Sequence, residues 1–162
     1  MELRLPTSVV GPGEINRLLR ELAALDDFFL SAAARAAGTP LPPPRVTFML
    51  EQAARDNKFN LLEEAHRDEL KTRLQSVLER APVVHISLAA EPSPRITDAI
   101  LSWLRANIHP NILVVIGLQP TIAAGAELRT GNQIFDMSLR THLQKQEGYL
   151  VKLIEGAVSG RR

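Results

Sequence analysis

There is no cysteine anywhere in the 162 residues. That excludes disulfides and thiolate metal sites, and it fits a reducing compartment. Aromatic residues are scarce at 4%, with Trp103 the single tryptophan and Tyr149 the single tyrosine. Stacking platforms for single-stranded nucleic acid need more. Nineteen basic and 18 acidic residues leave a formal charge of +1, which gives no field to steer nucleic acid or acidic membranes. No run approaches the roughly 18 apolar residues of a membrane span. The opening MELRLPTSVVGPGE has no apolar core of signal-peptide length, so a soluble protein is expected. Gly117, Gly125 and Gly131 fit neither G-x-G-x-x-G nor G-x-x-x-x-G-K-[ST]. They read as strand-end and turn positions.

What the chain does have is helical periodicity in its first half. From Gly13 to Ala37, Ile15, Leu18, Leu19, Leu22, Leu25 and Phe29 recur at spacings of three and four, which places them on one helix face. Pro12 stands at the start, where its missing N–H costs little. Gly38 and then Pro40, Pro42, Pro43 and Pro44 end the helix in a stiff spacer. A second helix is expected over Arg45–Asp56, with Val46, Met49, Leu50, Ala53 and Ala54 inward. A third is expected over Asn60–Arg80, capped by Asn60, with two shorter helices in its place as the alternative. Its buried stripe is Leu62, His66, Leu70, Leu74, Val77 and Leu78.

The pattern changes at Pro82. Val83–Ala89 is a short β-rich run. Ser93 and Pro94 open a helix that runs to Ile108 and buries Ile96, Ile100, Trp103, Leu104 and Ile108. Ile112–Leu118 is almost wholly apolar, as in a central strand covered on both faces. Ala126–Thr130 and Gln133–Met137 form a hairpin around Gly131–Asn132. That register sets Leu128 opposite Phe135 and Ala126 opposite Met137 on the core side, with Glu127, Arg129 and Asp136 behind and Arg129 within diagonal reach of Asp136. Ser138 caps a last helix running to Ala157, with Leu139, Leu143, Leu150, Leu153 and Ile154 as its apolar stripe. The expected fold is α+β. Residues 1–81 form a helical domain of about three helices. Residues 82–162 form an α+β domain with a four-stranded mixed sheet and a long carboxy-terminal helix.

Chemistry-bearing residues are few. His85, His109 and His142 show no i, i+4 spacing, so no metal site is expected. Asp136 and Ser138 lack the G-x-S-x-G elbow and a neighbouring histidine; a helix cap explains both residues. Glu63 and Arg67 are an i, i+4 pair on a solvated face. The stripe Leu18, Leu22, Leu25 and Phe29 fits either core or a partner's surface. The same two readings hold for Leu143, Leu150, Leu153 and Ile154.

One motif joins several of these positions at fixed spacing: Pro120, Ala124–Gly125, Arg129, Gly131, Asp136 and Ser138, then Leu143. It resembles the delta subunit of F-type ATP synthases, the family of the oligomycin-sensitivity-conferring protein. Upstream, LEQAARDNKFNLL (residues 50–62) is similar to a second family segment. Gln119 stands where the family has aspartate, Ala124 where it has glycine, and the helical half is shorter than the family's. The resemblance implies a structural subunit with no catalytic site and no cofactor. Such a subunit links catalytic-head subunits to the b-type stalk subunits and resists rotor torque. It would lie on the cytoplasmic face of the bacterial plasma membrane through its complex, with no membrane insertion and no nucleic acid. The competing reading is an RNA-binding α/β domain of the translation-factor kind, which calls for a gathered basic face. A small enzyme ranks third, and would need His85, Asp136 and Ser138 in one cleft.

Overall fold

The computed structural model describes residues 3–34, 44–122, 124–131, 133–145, 148 and 151. The chain divides into two compact units. One holds 1–83 and 94–114; the other holds 84–93 and 115–162. The helix after Pro94 therefore groups with the amino-terminal helices, where the sequence reading drew one cut after residue 81.

The helical unit is organised by α1 (Pro12–Ala34), α2 (Phe48–Asp56) and α3 (Glu64–Arg80). The Glu14 carboxylate accepts from the Gly11 N–H at 2.8 Å, the return arm of a capping box. A Cβ on Gly11 would lie 2.5 Å from the Val114 carbonyl oxygen, so the cap position tolerates only glycine. Ile15, Leu18, Leu22 and Leu25 are the buried face of α1. The expected extension to Ala37 and the spacer prolines 40, 42 and 43 lie outside the described residues.

The second helix starts later than expected, because Thr47 takes the cap. Its Oγ1 accepts from Leu50 N–H at 3.4 Å, while its N–H and hydroxyl donate to Glu21 Oε2 at 3.1 and 2.7 Å. The third helix starts at Glu64 and not at Asn60. Asn60 closes a turn instead, accepting from Leu62 N–H at 3.1 Å and donating to Glu63 at 2.7 Å. Leu62 consequently falls before the helix and is 74% exposed, not buried. Leu70, Leu74 and Val77 are buried as the stripe requires, with His66 and Leu78 partly so.

Arg67 is the unexpected core residue, only 3% exposed. It reaches Asp26 of α1 at 2.5 Å and the Leu61 carbonyl at 3.0 Å, and its guanidinium lies 4.5 Å from the centre of the Phe29 ring. Lys71 also bonds to Asp26. Burial pushes the Asp26 carboxyl up, but the hydrogen bonds and charges of Lys71 and Arg67 together outweigh it and hold the carboxyl below its ordinary value. The expected Glu63–Arg67 surface pair gives way to this inward one.

Residues 3–11 form an arm that completes the core through Leu3 and Val9. Arg105 of α4 (Pro94–Asn107) holds it, donating to the carbonyls of Leu5, Pro6 and Val9 at 3.1, 2.9 and 2.6 Å. Arg105, Leu101 and Leu104 share the inward face of α4, since positions at i, i+3 and i+4 lie together. That orientation leaves Ile96, Trp103 and Ile108 exposed, against the expected burial, with Trp103 at 60%; Ile100 is half-buried.

Four strands follow: β1 (Val83–Leu88), β2 (Leu113–Leu118), β3 (Gly125–Thr130) and β4 (Gln133–Ser138), in the order β2-β1-β3-β4. Leu113 N–H bonds to Pro82 O and Gln119 N–H to Leu88 O. These partners ascend together, so β1 and β2 are parallel, while β1–β3 and β3–β4 are antiparallel. The sheet is mixed and the fold α+β. The apolar run at 112–118 is thus an edge strand, not a central one. Its first residues are buried and its end is exposed at Leu118. The last helix, α5 (Leu139–Lys145), is short among the described residues. The expected continuation to Ala157 lies outside them, apart from residues 148 and 151.

Candidate docking site

The β3–β4 hairpin is fixed at three points. At its start Gly125 has φ +98°, and a Cβ there would lie 2.4 Å from Met137 O and 2.9 Å from Ser138 Cα. A 3-10 turn at Pro120–Ile122 leads into that approach. At the loop Gly131 has φ +46°, the positive value that glycine adopts without strain. The sequence-derived register is observed, with Ala126 opposite Met137 and Leu128 opposite Phe135.

The third point is the cap of α5. Ser138 is buried, and its Oγ accepts from the Thr141 N–H at 3.2 Å. Asp136 accepts from Ser138 N–H at 2.8 Å and from the Thr141 hydroxyl at 2.5 Å. Hydrogen bonds from the Thr141 side chain and then from Ser138 bring the Asp136 carboxyl down to about 2. The expected Arg129–Asp136 contact is replaced by this cluster. The residue paired with Asp136 across the strands is Glu127, and Arg129 lies opposite Ile134. Leu139 N–H closes the arrangement on Ala124 O at 2.8 Å.

A cavity of about 550 Å³ opens at this corner, lined by Asp136, Ser138, Thr141, His142 and Lys145 among others. Asp136 and Ser138 therefore do share a cleft, with His142 in it; His85 is not one of its lining residues and sits exposed on β1 opposite Arg129. Both Asp136 oxygens and the Ser138 hydroxyl are engaged in the cap. No group of three or more metal-capable side chains occurs among the described residues.

The apolar face of this unit runs across three strands. Ile86 pairs with Leu128, which pairs with Phe135; Leu88 pairs with Ala126, which pairs with Met137. Burial falls along each row. Ile86 is buried, Leu128 is half-buried, and Phe135 and Met137 are 51% and 59% exposed. The expected core side of β4 is thus open. Among the described residues, strand β4 is an edge of the sheet. Ile134 on the opposite face is exposed as well. The sequence carried a signal for this: Ile134 and Phe135 are consecutive, so a strand through them cannot have only one apolar face.

The other residues named from sequence fall elsewhere. Leu18, Leu22 and Leu25 lie in the bundle core, and Phe29 is partly buried against it. The three leucines are covered within the chain, and part of the Phe29 ring is left exposed. Leu150, Leu153 and Ile154 lie outside the described residues, as does the side chain of Leu143. Comparison with protein-family models gives no match to this chain, and comparison with curated proteins gives none either.

Proposed function

We propose that this protein is a non-catalytic docking subunit, and that its role is that of the delta subunit it resembles. It joins the catalytic head of a rotary F-type ATP synthase to the b-type helices of the peripheral stalk. The observation that carries the reading is the open apolar face of the hairpin. Phe135 and Met137 are exposed on a strand whose position is held by Gly125, Gly131 and the Asp136–Ser138–Thr141 cap. Exposed apolar groups on a rigid edge mark interfaces more often than they serve a free surface. A torque-bearing link needs interface area and stiffness, not reactive groups. The likeness to the family rests on Pro120, Gly125, Arg129, Gly131, Asp136 and Ser138, and the structure gives most of these a geometric duty at one corner.

In this reading the carboxy-terminal unit meets the stalk and the amino-terminal helices meet the head. The complex places the protein on the cytoplasmic face of the bacterial plasma membrane. Among the described residues no helix is long and apolar enough to cross a membrane. Affinity purification of the tagged chain from its own cells, followed by identification of bound proteins, tests the proposal. Recovery of b-type and head subunits is the expected result. Their absence under conditions that keep the synthase assembled refutes it.

A further inference from the structure

Helix α4 has two apolar sides. Leu101 and Leu104 are buried in its own unit. The opposite side carries Ile96, Ala99, Ile100, Trp103 and Ala106. Ile96 and Trp103 are more than half exposed, Ala99 and Ala106 are exposed, and Ile100 is half-buried. A surface helix ordinarily sets charge opposite its buried stripe. Here the exposed charged residues are Arg95 and Asp98, both in the first half of the helix. Ile96, Ala99, Trp103 and Ala106 stand at spacings of three, four and three, the a and d positions of a seam between paired helices.

The order of side-chain sizes along that seam says what fits it. It runs large, small, large, small. Turning a second copy end for end, about a two-fold axis at the level of Leu101, sets Ile96 against Ala106 of the second copy and Trp103 against its Ala99. The same two pairs recur on the other side of the axis. Each large side chain then enters the space over a small one, as knobs enter holes between paired helices. A parallel copy would set Trp103 against Trp103 and Ala99 against Ala99, a clash beside a void. Charge favours the antiparallel copy too. Arg95 lies in the first turn of its own helix, the wrong end for a cation, and the second copy brings its carboxy-terminal end beside it. The two Arg95 positions are then about 18 Å apart along the axis and do not oppose each other. The apolar groups buried between two such faces come to roughly 800 Å² in all, less than a stable interface needs. The pair is therefore weak.

We propose that the outer face of α4 is the contact of a weak symmetric homodimer, in which two copies of this helix pack antiparallel. The hairpin takes no part in it, and its outcome does not bear on the docking role. The test is sedimentation equilibrium of the full chain up to about 500 µM, with a monomer–dimer Kd on the order of 100 µM expected. Trp103 is the single tryptophan, so its emission should move to shorter wavelength as the dimer forms. Ala99→Glu sets a carboxylate against Trp103 of the second copy and should weaken the Kd about tenfold or more. Ala99 is exposed and glutamate is a good helix former, so that variant should fold normally, which circular dichroism checks. The chain has no cysteine, so single introduced thiols read the orientation. Ser102→Cys, beside the axis, should cross-link to its own copy through a short bismaleimide, and Arg95→Cys should not. A chain that stays monomeric throughout overturns the proposal and leaves the face to a foreign helix. So does an unchanged Kd in Ala99→Glu, or a dimer lost only in the double variant Phe135→Asp, Met137→Asp, which moves the contact to the hairpin. Efficient cross-linking through Arg95→Cys overturns the antiparallel arrangement.

Discussion

Replacing Gly125 by alanine should open the hairpin corner, and its cost follows from two separate terms. Its φ of +98° is a backbone region that side-chain-bearing residues avoid, at roughly 1–3 kcal/mol. The new Cβ would also stand 2.4 Å from Met137 O, 2.9 Å from Ser138 Cα and 3.3 Å from Leu139 N. These are backbone atoms of β4 and of the α5 cap, so relief requires displacing the strand, at roughly a further 1–3 kcal/mol by analogy with overpacked cores. The sum is about 4 kcal/mol. Gly131→Ala is the control. Its φ is +46° and nothing lies within 4 Å of an added Cβ, so only the left-handed backbone term of about 1 kcal/mol applies. Amide hydrogen exchange reads the difference directly. The Leu139 N–H, bonded to Ala124 O, should lose protection by several hundredfold in Gly125→Ala and by less than about tenfold in Gly131→Ala. Equal losses in the two variants would refute the close-approach argument.

Four further outcomes follow from the same structure. Asp26→Ala leaves the buried Arg67 without its carboxylate and should cost about 3 kcal/mol in urea unfolding. The Asp26 carboxyl is held below its ordinary value of 3.8 and the Lys71 ammonium above its ordinary 10.5. Stability from their pairing should therefore be complete between those values. It should be lost as pH falls through the lowered folded-state value of Asp26, or rises through the raised one of Lys71. Ser138→Ala removes the acceptor for Thr141 N–H and should destabilise the start of α5 by about 1 kcal/mol, read as faster exchange of that amide. The Asp136 carboxyl should titrate near 2 by carbon-detected NMR, so its part of the cap is present above 3.8 and disappears as pH falls from there toward 2.

Local chemistry was the most legible part of this sequence. Hairpin register, the glycine at its loop, and Ser138 as a cap all follow from turn and capping rules that act over a few residues. Position within the sheet was not legible. The apolar run at 112–118 reads as doubly covered, yet β2 is an edge strand, because pairing of β3 with β1 is a long-range event that composition does not encode. Exposure of Phe135 and Met137 was hidden for the same reason: alternation tells which side chains share a face, not whether anything covers it. Arg67 shows the reverse error. A charged run reads as solvated, but its partner Asp26 is 41 residues away, beyond any local pattern. For α4 the apolar stripe was real, and Arg105 decided which side turned inward by finding three carbonyls of the amino-terminal arm.

The docking role stands or falls on the open face of β4. The direct measurement is retention of b-type stalk subunits by the tagged full chain, compared with the double variant Phe135→Asp, Met137→Asp. Both side chains are more than half exposed, so the variant should keep its stability within about 1 kcal/mol while its partner affinity falls about thirtyfold or more, as for truncated interface anchors. Undiminished retention of the stalk by a correctly folded variant would contradict the account.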